Sequence, residues 1–173
     1  MKSRGLTVAI LLILLPLTAY SGEDKILYAR GRHFVKTHQM DFAYMQFRDI
    51  VRQYPQSTFR EDALFATGEY FVQNSNFKEA TKIFEEFIKE YPTAKTKIFA
   101  LAYLYKMAKE KNDADLVERI KTDIITIERL GFVFRDSKEY KYHSLFHWQY
   151  HVLLQIDKIT ISCNGDRLAE ISY

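Results

Sequence analysis

The sequence predicts a mainly-α protein, an α-α superhelix of about three helical hairpins with a small C-terminal antiparallel β unit. Three observations carry this expectation. Gly31, Ala43, Phe47 and Pro55 recur 37 residues later as Gly68, Ala80, Phe84 and Pro92, with Leu27 matching Leu64 and Tyr54 matching Tyr91. A period between about 20 and 50 residues marks a stacked array of hairpins. After Gly131 the repeat is gone, and apolar residues alternate instead: Val152, Leu154 and Ile156, then Ile159, Ile161 and Cys163. Finally, Asn164-Gly165 sits between two β-prone runs, the strongest short hairpin signal.

The first twenty-one residues read as a signal peptide. Lys2 and Arg4 open the chain, Leu6 to Leu17 is an apolar run, and Ala19 and Ser21 are the small residues of a cleavage site before Gly22. An uncleaved anchor at the inner membrane is the competing reading, but the run falls short of the roughly 20 residues that span a bilayer. Of the 25 basic and 22 acidic residues, cleavage removes two basic ones, leaving 23 against 22. No basic stripe remains to argue for nucleic acid. Cys163 is the one cysteine and lies far from the cleavage site, which excludes a lipidated N-terminus. The expected state of Cys163 is a buried thiol acting as a small hydrophobe.

Helices follow near 24–37 and 40–53, 59–73 and 77–90, and 95–110 and 113–130. Within each hairpin, glycine on the first helix and alanine on the second permit close approach, and the large aromatics fill the groove between hairpins. Proline stops the second helix, since it lacks an amide donor and its ring clashes with the preceding turn. These spacings, with Phe34 and Phe71 three residues after each glycine, resemble the tetratricopeptide repeat. The 37-residue unit is longer than the family's 34, the extra residues falling after the proline. Ile50 and Phe87 exceed its usual alanine. The Tyr-Pro endings, and above all the tract from Phe77 to Ala94, look like the tetratricopeptide proteins of the bacterial envelope. These include the accessory lipoprotein of the outer-membrane assembly machine and the Tol-Pal coordinator. The chain departs from the former in lacking a lipidated cysteine and from the latter in lacking a coiled-coil segment.

The third unit is degenerate, with Tyr105 in the glycine slot and Lys121 in the phenylalanine slot. Leu116, Ile120, Ile124 and Ile127 still give its second helix an apolar face, and Gly131 is expected to cap it. The expected organisation is a signal peptide at 1–21, a repeat domain at 22–131 with units near 24–57, 58–94 and 95–131, and a β unit at 132–173. Strands are expected near 148–156, 158–163 and 167–172. A two-residue turn at Asn164-Gly165 sets Ile161 opposite Leu168, and a bulged turn moves every pairing by one. A lone hairpin is marginal in water, so this unit either packs on the last helices or adds to a partner's sheet.

Chemistry is sparse. His143, His147 and His151 are spaced by four, but on one helix the outer pair lies about 12 Å apart. On one strand, neighbours lie roughly 13 Å apart. Neither geometry suits one zinc ion, so they are expected at the surface or an interface. Glu85, Glu86 and Glu90, near Lys82 and Lys89, read as a solvated helix face with i,i+4 pairs rather than catalytic carboxylates. No phosphate-binding glycine loop, serine elbow or paired-cysteine site occurs. No cofactor, metal or small-molecule substrate is therefore expected. The aromatics of the first helices suggest protein recognition, with Tyr70, Asn74 and Tyr103 as the candidate contact surface. The family resemblance implies a non-catalytic periplasmic scaffold whose partner is an envelope protein or peptide, bound through the repeat groove, the β unit or both. An accessory role in outer-membrane assembly or envelope integrity is the alternative, and a metal-binding or enzymatic use of the His143–His151 region the other.

Overall fold

The computed structural model describes residues 22–129 and 139–173, apart from the side chains of Glu128 and Arg129. The signal peptide expected at 1–21, the cap expected at Gly131 and the expected array–tail boundary at 131/132 lie outside the described residues. Six helices form three consecutive hairpins: α1 (Glu23–Lys36) with α2 (Met40–Gln53), α3 (Arg60–Gln73) with α4 (Phe77–Glu90), and α5 (Lys97–Glu110) with α6 (Ala114–Arg129). A four-stranded antiparallel sheet follows, in the order β1 (Glu139–His143), β2 (Gln149–Leu154), β3 (Lys158–Cys163) and β4 (Asp166–Ser172).

The repeated residues meet as their spacing demands. A Cβ placed on Gly68 would stand 2.5 Å from Cε1 of Phe84, and one on Gly31 would meet the Phe47 ring in the same way. Ala43, Phe47, Ala80 and Phe84 are fully buried, as are the oversized Ile50 and Phe87. Helices α2 and α4 stop at Gln53 and Glu90, ahead of Tyr54-Pro55 and Tyr91-Pro92. Each of those tyrosines reaches back to the first residue of its own unit's first helix. Tyr54 donates to Glu23 at 2.6 Å, and Arg60 donates to the Tyr91 hydroxyl at 3.2 Å.

The period also governs the turns. His38, Ser75 and Asn112, spaced by 37, all adopt positive φ near 55–58°. In each unit the next amide donates back five residues, from Gln39 to Phe34, Asn76 to Phe71 and Asp113 to Ala108. This is the Schellman closure of a helix end. The third unit therefore keeps the repeat's turn although it has lost the glycine and phenylalanine.

The sheet departs from the expected strands at β1, at the end of β2 and in the place of its bulge, while the two-residue turn at Asn164-Gly165 is one of the two expected. An additional strand, β1, pairs with β2 from Glu139↔Leu153 to His143↔Gln149. Strand β2 ends at Leu154, and the turn falls at Ile156-Asp157, leaving Ile156 fully exposed instead of on the inner face. At Asn164-Gly165 a two-residue turn pairs Cys163 with Asp166, and both turn residues have positive φ. The register then shifts, so that Ile161 faces Ala169 rather than Leu168. That bulge lets the consecutive Leu168 and Ala169 both turn inward, where both are buried.

The array and the sheet share one core. Leu64, Phe65, Phe84 and Phe99 pack in a single cluster with Tyr150, Val152, Ile159, Ile161 and Ile171. A second cluster joins Val35, Phe47 and Ala66 of the first units to Phe146, in the turn between β1 and β2.

Candidate functional site

The inner face of the array, lined by the first helix of each hairpin, is covered by the chain's own sheet. Helix α3 buries seven consecutive residues, Ala63 to Glu69, and α5 buries eight, Ile98 to Tyr105. A helix buried on all sides has neighbours on all sides. Here adjacent helices take one side and aromatic strands the other. Phe99 stacks on Tyr140 and Tyr142 at ring-centroid distances of 5.7 and 5.8 Å, and Phe65 meets Tyr142 and Tyr150 edge-on. At the far end, the Phe146 ring meets Phe47 edge-on at 5.9 Å. Each such pair adds about 0.5–1.5 kcal/mol beyond the area it buries.

A polar chain threads this apolar interface. Tyr150 donates its hydroxyl proton to Oε1 of Glu69 at 2.7 Å. The Tyr103 hydroxyl lies 2.9 Å from that of Tyr150. Because Tyr150 has only one proton, Tyr103 is the donor between them. The Cys163 thiol, buried and free, also faces both tyrosine hydroxyls. It is thus buried as expected, but in a polar cluster and not as a plain hydrophobe.

Glu69 is fully buried, and its Oε2 has no hydrogen-bond partner of good geometry on the protein. Burial pushes its carboxyl up to about 8, against the opposing pull of the Tyr150 and Ser144 hydroxyls. An ionised carboxylate with one bare oxygen in an apolar interior is costly, so the protonated acid is the stable form there. Burial likewise raises Tyr103, Tyr142 and Tyr150 well above the usual phenol range. Glu69, Tyr150 and Tyr103 are all buried between α3, α5 and β2, so the arrangement is a clamp that holds sheet to array.

The expected contact residues separate. Tyr70 stacks on Tyr44 at 4.0 Å and donates to Asp41 at 2.8 Å, closing the joint between α2 and α3. Asn74 is exposed at the end of α3 and donates to the Tyr70 carbonyl. Tyr103 is only 4% exposed, stacked on Phe84 beneath the sheet. The three therefore do not form one exposed surface, because Tyr103's place in the groove is taken by β2. Gly31, Ala43, Phe47, Gly68, Ala80 and Phe84 form the helix contacts described above, and Pro55 and Pro92 follow the helix ends.

The histidines lie on a hairpin rather than on one helix or strand. His143 is in β1, His147 in the turn with φ 63°, and His151 in β2, 2.7 Å from Oε1 of Glu139. Among the described residues, no group of three or more His, Cys, Asp or Glu is placed to hold a metal ion. The glutamates of α4 also differ from expectation. Glu86 and Glu90 both engage Arg60 of α3 rather than the lysines of their own helix, and Lys82 pairs with Glu79. Arg60 offers planar donors to two carboxylates at once, which a lysine one turn away does not.

Sequence reasoning missed Glu69 and the clamp, since a single glutamate in a helix reads as a surface residue. A signal was present in α5, whose run from Ile98 to Tyr105 is apolar around the whole circumference and needs cover on both sides.

The fold is thus a helical-hairpin array whose inner groove is closed by its own β unit. The family model of the tetratricopeptide repeat matches residues 62–94, which span nearly all of α3, its turn, α4 and the Tyr-Pro ending. No curated protein matches the chain. Together the matched segment and the consecutive hairpins make the array similar to tetratricopeptide repeats, a family that typically mediates protein–protein contacts. Among the described residues, no helix is long and apolar enough to cross a membrane.

Proposed function

We propose that this protein is a non-catalytic scaffold of the bacterial periplasm, exported by the signal peptide at residues 1–21, that binds a protein or peptide of the cell envelope. The observation behind the scaffold reading is the hairpin array itself, with a tetratricopeptide match at 62–94 and the same turn repeated in all three units. Stacked hairpins present extended surfaces, and such arrays commonly serve as binding platforms. Export rests on the charged, apolar and small-residue order of Lys2 to Ser21, and the envelope partner on the likeness of Phe77–Ala94 to envelope repeats. The same tract favours a role in outer-membrane assembly or envelope integrity within this reading.

The closed groove constrains how a scaffold of this shape binds. Its inner aromatic face is occupied, so a partner uses the outer surfaces of array and sheet. Crosslinking in intact cells, followed by purification and identification of bound proteins, tests the reading. A reproducible envelope protein is the expected result. Recovery only of cytoplasmic proteins would overturn the localisation, and a wild-type chain that captures nothing would overturn the scaffold.

A further inference from the structure

Residues of α4, α5 and α6, and none of the sheet, line a groove of about 790 Å³. Its floor is apolar: Ile88 of α4, Leu101 and Leu104 of α5, and Leu116 and Ile120 of α6. Its rim is acidic, with Glu85 on one wall and Asp115, Glu118 and Asp123 on the other. Two cations, Lys89 and Arg119, share that rim with the four carboxylates, and Lys121 lies 3.8 Å from Glu118. From Gly22 onward the chain has 23 basic and 22 acidic residues, so the acidic rim is a local concentration and not a reflection of overall charge.

We propose that this groove is a docking site for a basic amphipathic helix of a partner protein. The proposal rests on the scaffold reading above and names the surface and the chemistry of its partner. The wall from Asp115 to Asp123 runs along α6 for about 12 Å at 1.5 Å per residue, a little over two helical turns. A helix of that length offers apolar anchors at i, i+3, i+4 and i+7. Leucines at those positions cover the half-buried Ile88 and Leu116 above the buried Leu101, Leu104 and Ile120, while flanking lysines or arginines meet Asp115 and Asp123 on one side and Glu85 on the other. Such a rim steers a basic partner and repels an acidic one, so it sets specificity and on-rate more than ultimate affinity.

Binding to the purified protein is measured by anisotropy of a labelled 14-residue peptide, with leucines at i, i+3, i+4 and i+7 and lysines on its flanks. A control peptide has every lysine replaced by glutamate. The lysine peptide is expected to bind, the glutamate peptide to bind at least tenfold more weakly, and added salt to narrow the gap. The exposed pair Asp115→Lys and Glu118→Lys, with an unchanged melting curve, is expected to weaken the lysine peptide at least tenfold. No binding, equal binding of both peptides, or binding indifferent to the double substitution would each overturn the proposal. Wild-type self-association that this substitution abolishes would assign the groove to a second copy instead and overturn it equally. The cellular crosslinking separates this proposal from the scaffold reading. A partner captured as well by the double variant as by wild type leaves the scaffold standing and removes the groove.

Discussion

Glu69 ties pH to stability through a single carboxyl. Its folded value of about 8 stands above the ordinary 4.5, so the folded state holds a proton that the unfolded chain releases. Between those values the unfolded chain binds fewer protons, and stability falls as pH rises. The contribution is complete below about 4.5 and lost as pH passes through about 8. Thermal melts from pH 5 to 8.5 are expected to show a steadily falling midpoint, and Glu69→Gln, neutral at every pH, to remove most of that slope. A variant that keeps the wild-type slope would show that another group is responsible. Tyr150→Phe removes the donor to Glu69 and the acceptor for Tyr103 in one step. A stranded buried polar group costs about 1–3 kcal/mol. Denaturant titration should therefore show a loss in that range, with unchanged secondary structure by circular dichroism.

The helical hairpins depend on two devices that the 37-residue period repeats. The first is glycine beneath a phenylalanine ring. Gly68→Ala drives a methyl into Phe84 deep in the core, where α3, packed on every side, has no room to retreat. Overpacking of this kind costs about 1–3 kcal/mol. Gly31→Ala meets the same ring arrangement, but α1 is less deeply packed, with only Gly31 and Val35 buried among its described residues. It is expected to cost less, a ranking that paired denaturant titrations check. The second device is the left-handed residue closing each first helix. Ser75 and His38 occupy it with a Cβ, at roughly 1–2 kcal/mol per residue. Replacing Ser75 with glycine is expected to raise stability by about 1 kcal/mol, and replacing Asn112 by less, because asparagine tolerates this conformation. If Ser75→Gly destabilises, the turn is held by side-chain contacts rather than by backbone geometry.

At the scale of the whole molecule, array and sheet stand or fall together. Deleting residues 139–173 uncovers Phe65, Phe99 and Tyr103 and strands Glu69 without Tyr150. Each large apolar side chain returned to water costs about 1.5–3 kcal/mol. The sum approaches the whole stability of a typical domain, about 5–15 kcal/mol. The truncated array is expected to lose its cooperative melt and to bind a hydrophobic dye, whereas full-length protein melts in one transition. Two separate transitions in the full-length protein would contradict a shared core.

Much of the fold is written locally. The spacing of Gly31, Ala43, Phe47 and Pro55 and its copy at Gly68 places helices and their ends, because helix contact, ring packing and proline termination all act over a few residues. Asn164-Gly165 likewise specifies its own turn. The array's degenerate third unit is legible as well, since its apolar face persists through Ile124. What the sequence left open was decided by contacts between distant segments. Only packing against α5 turns both Leu168 and Ala169 inward, which sets the register beyond the turn. Only the sheet's arrival buries Tyr103 and Glu69, 47 and 81 residues before Tyr150 in the chain. A periodic pattern shows which face of a helix is apolar, but not what covers it. In this protein the chain's own strands cover the array's inner face.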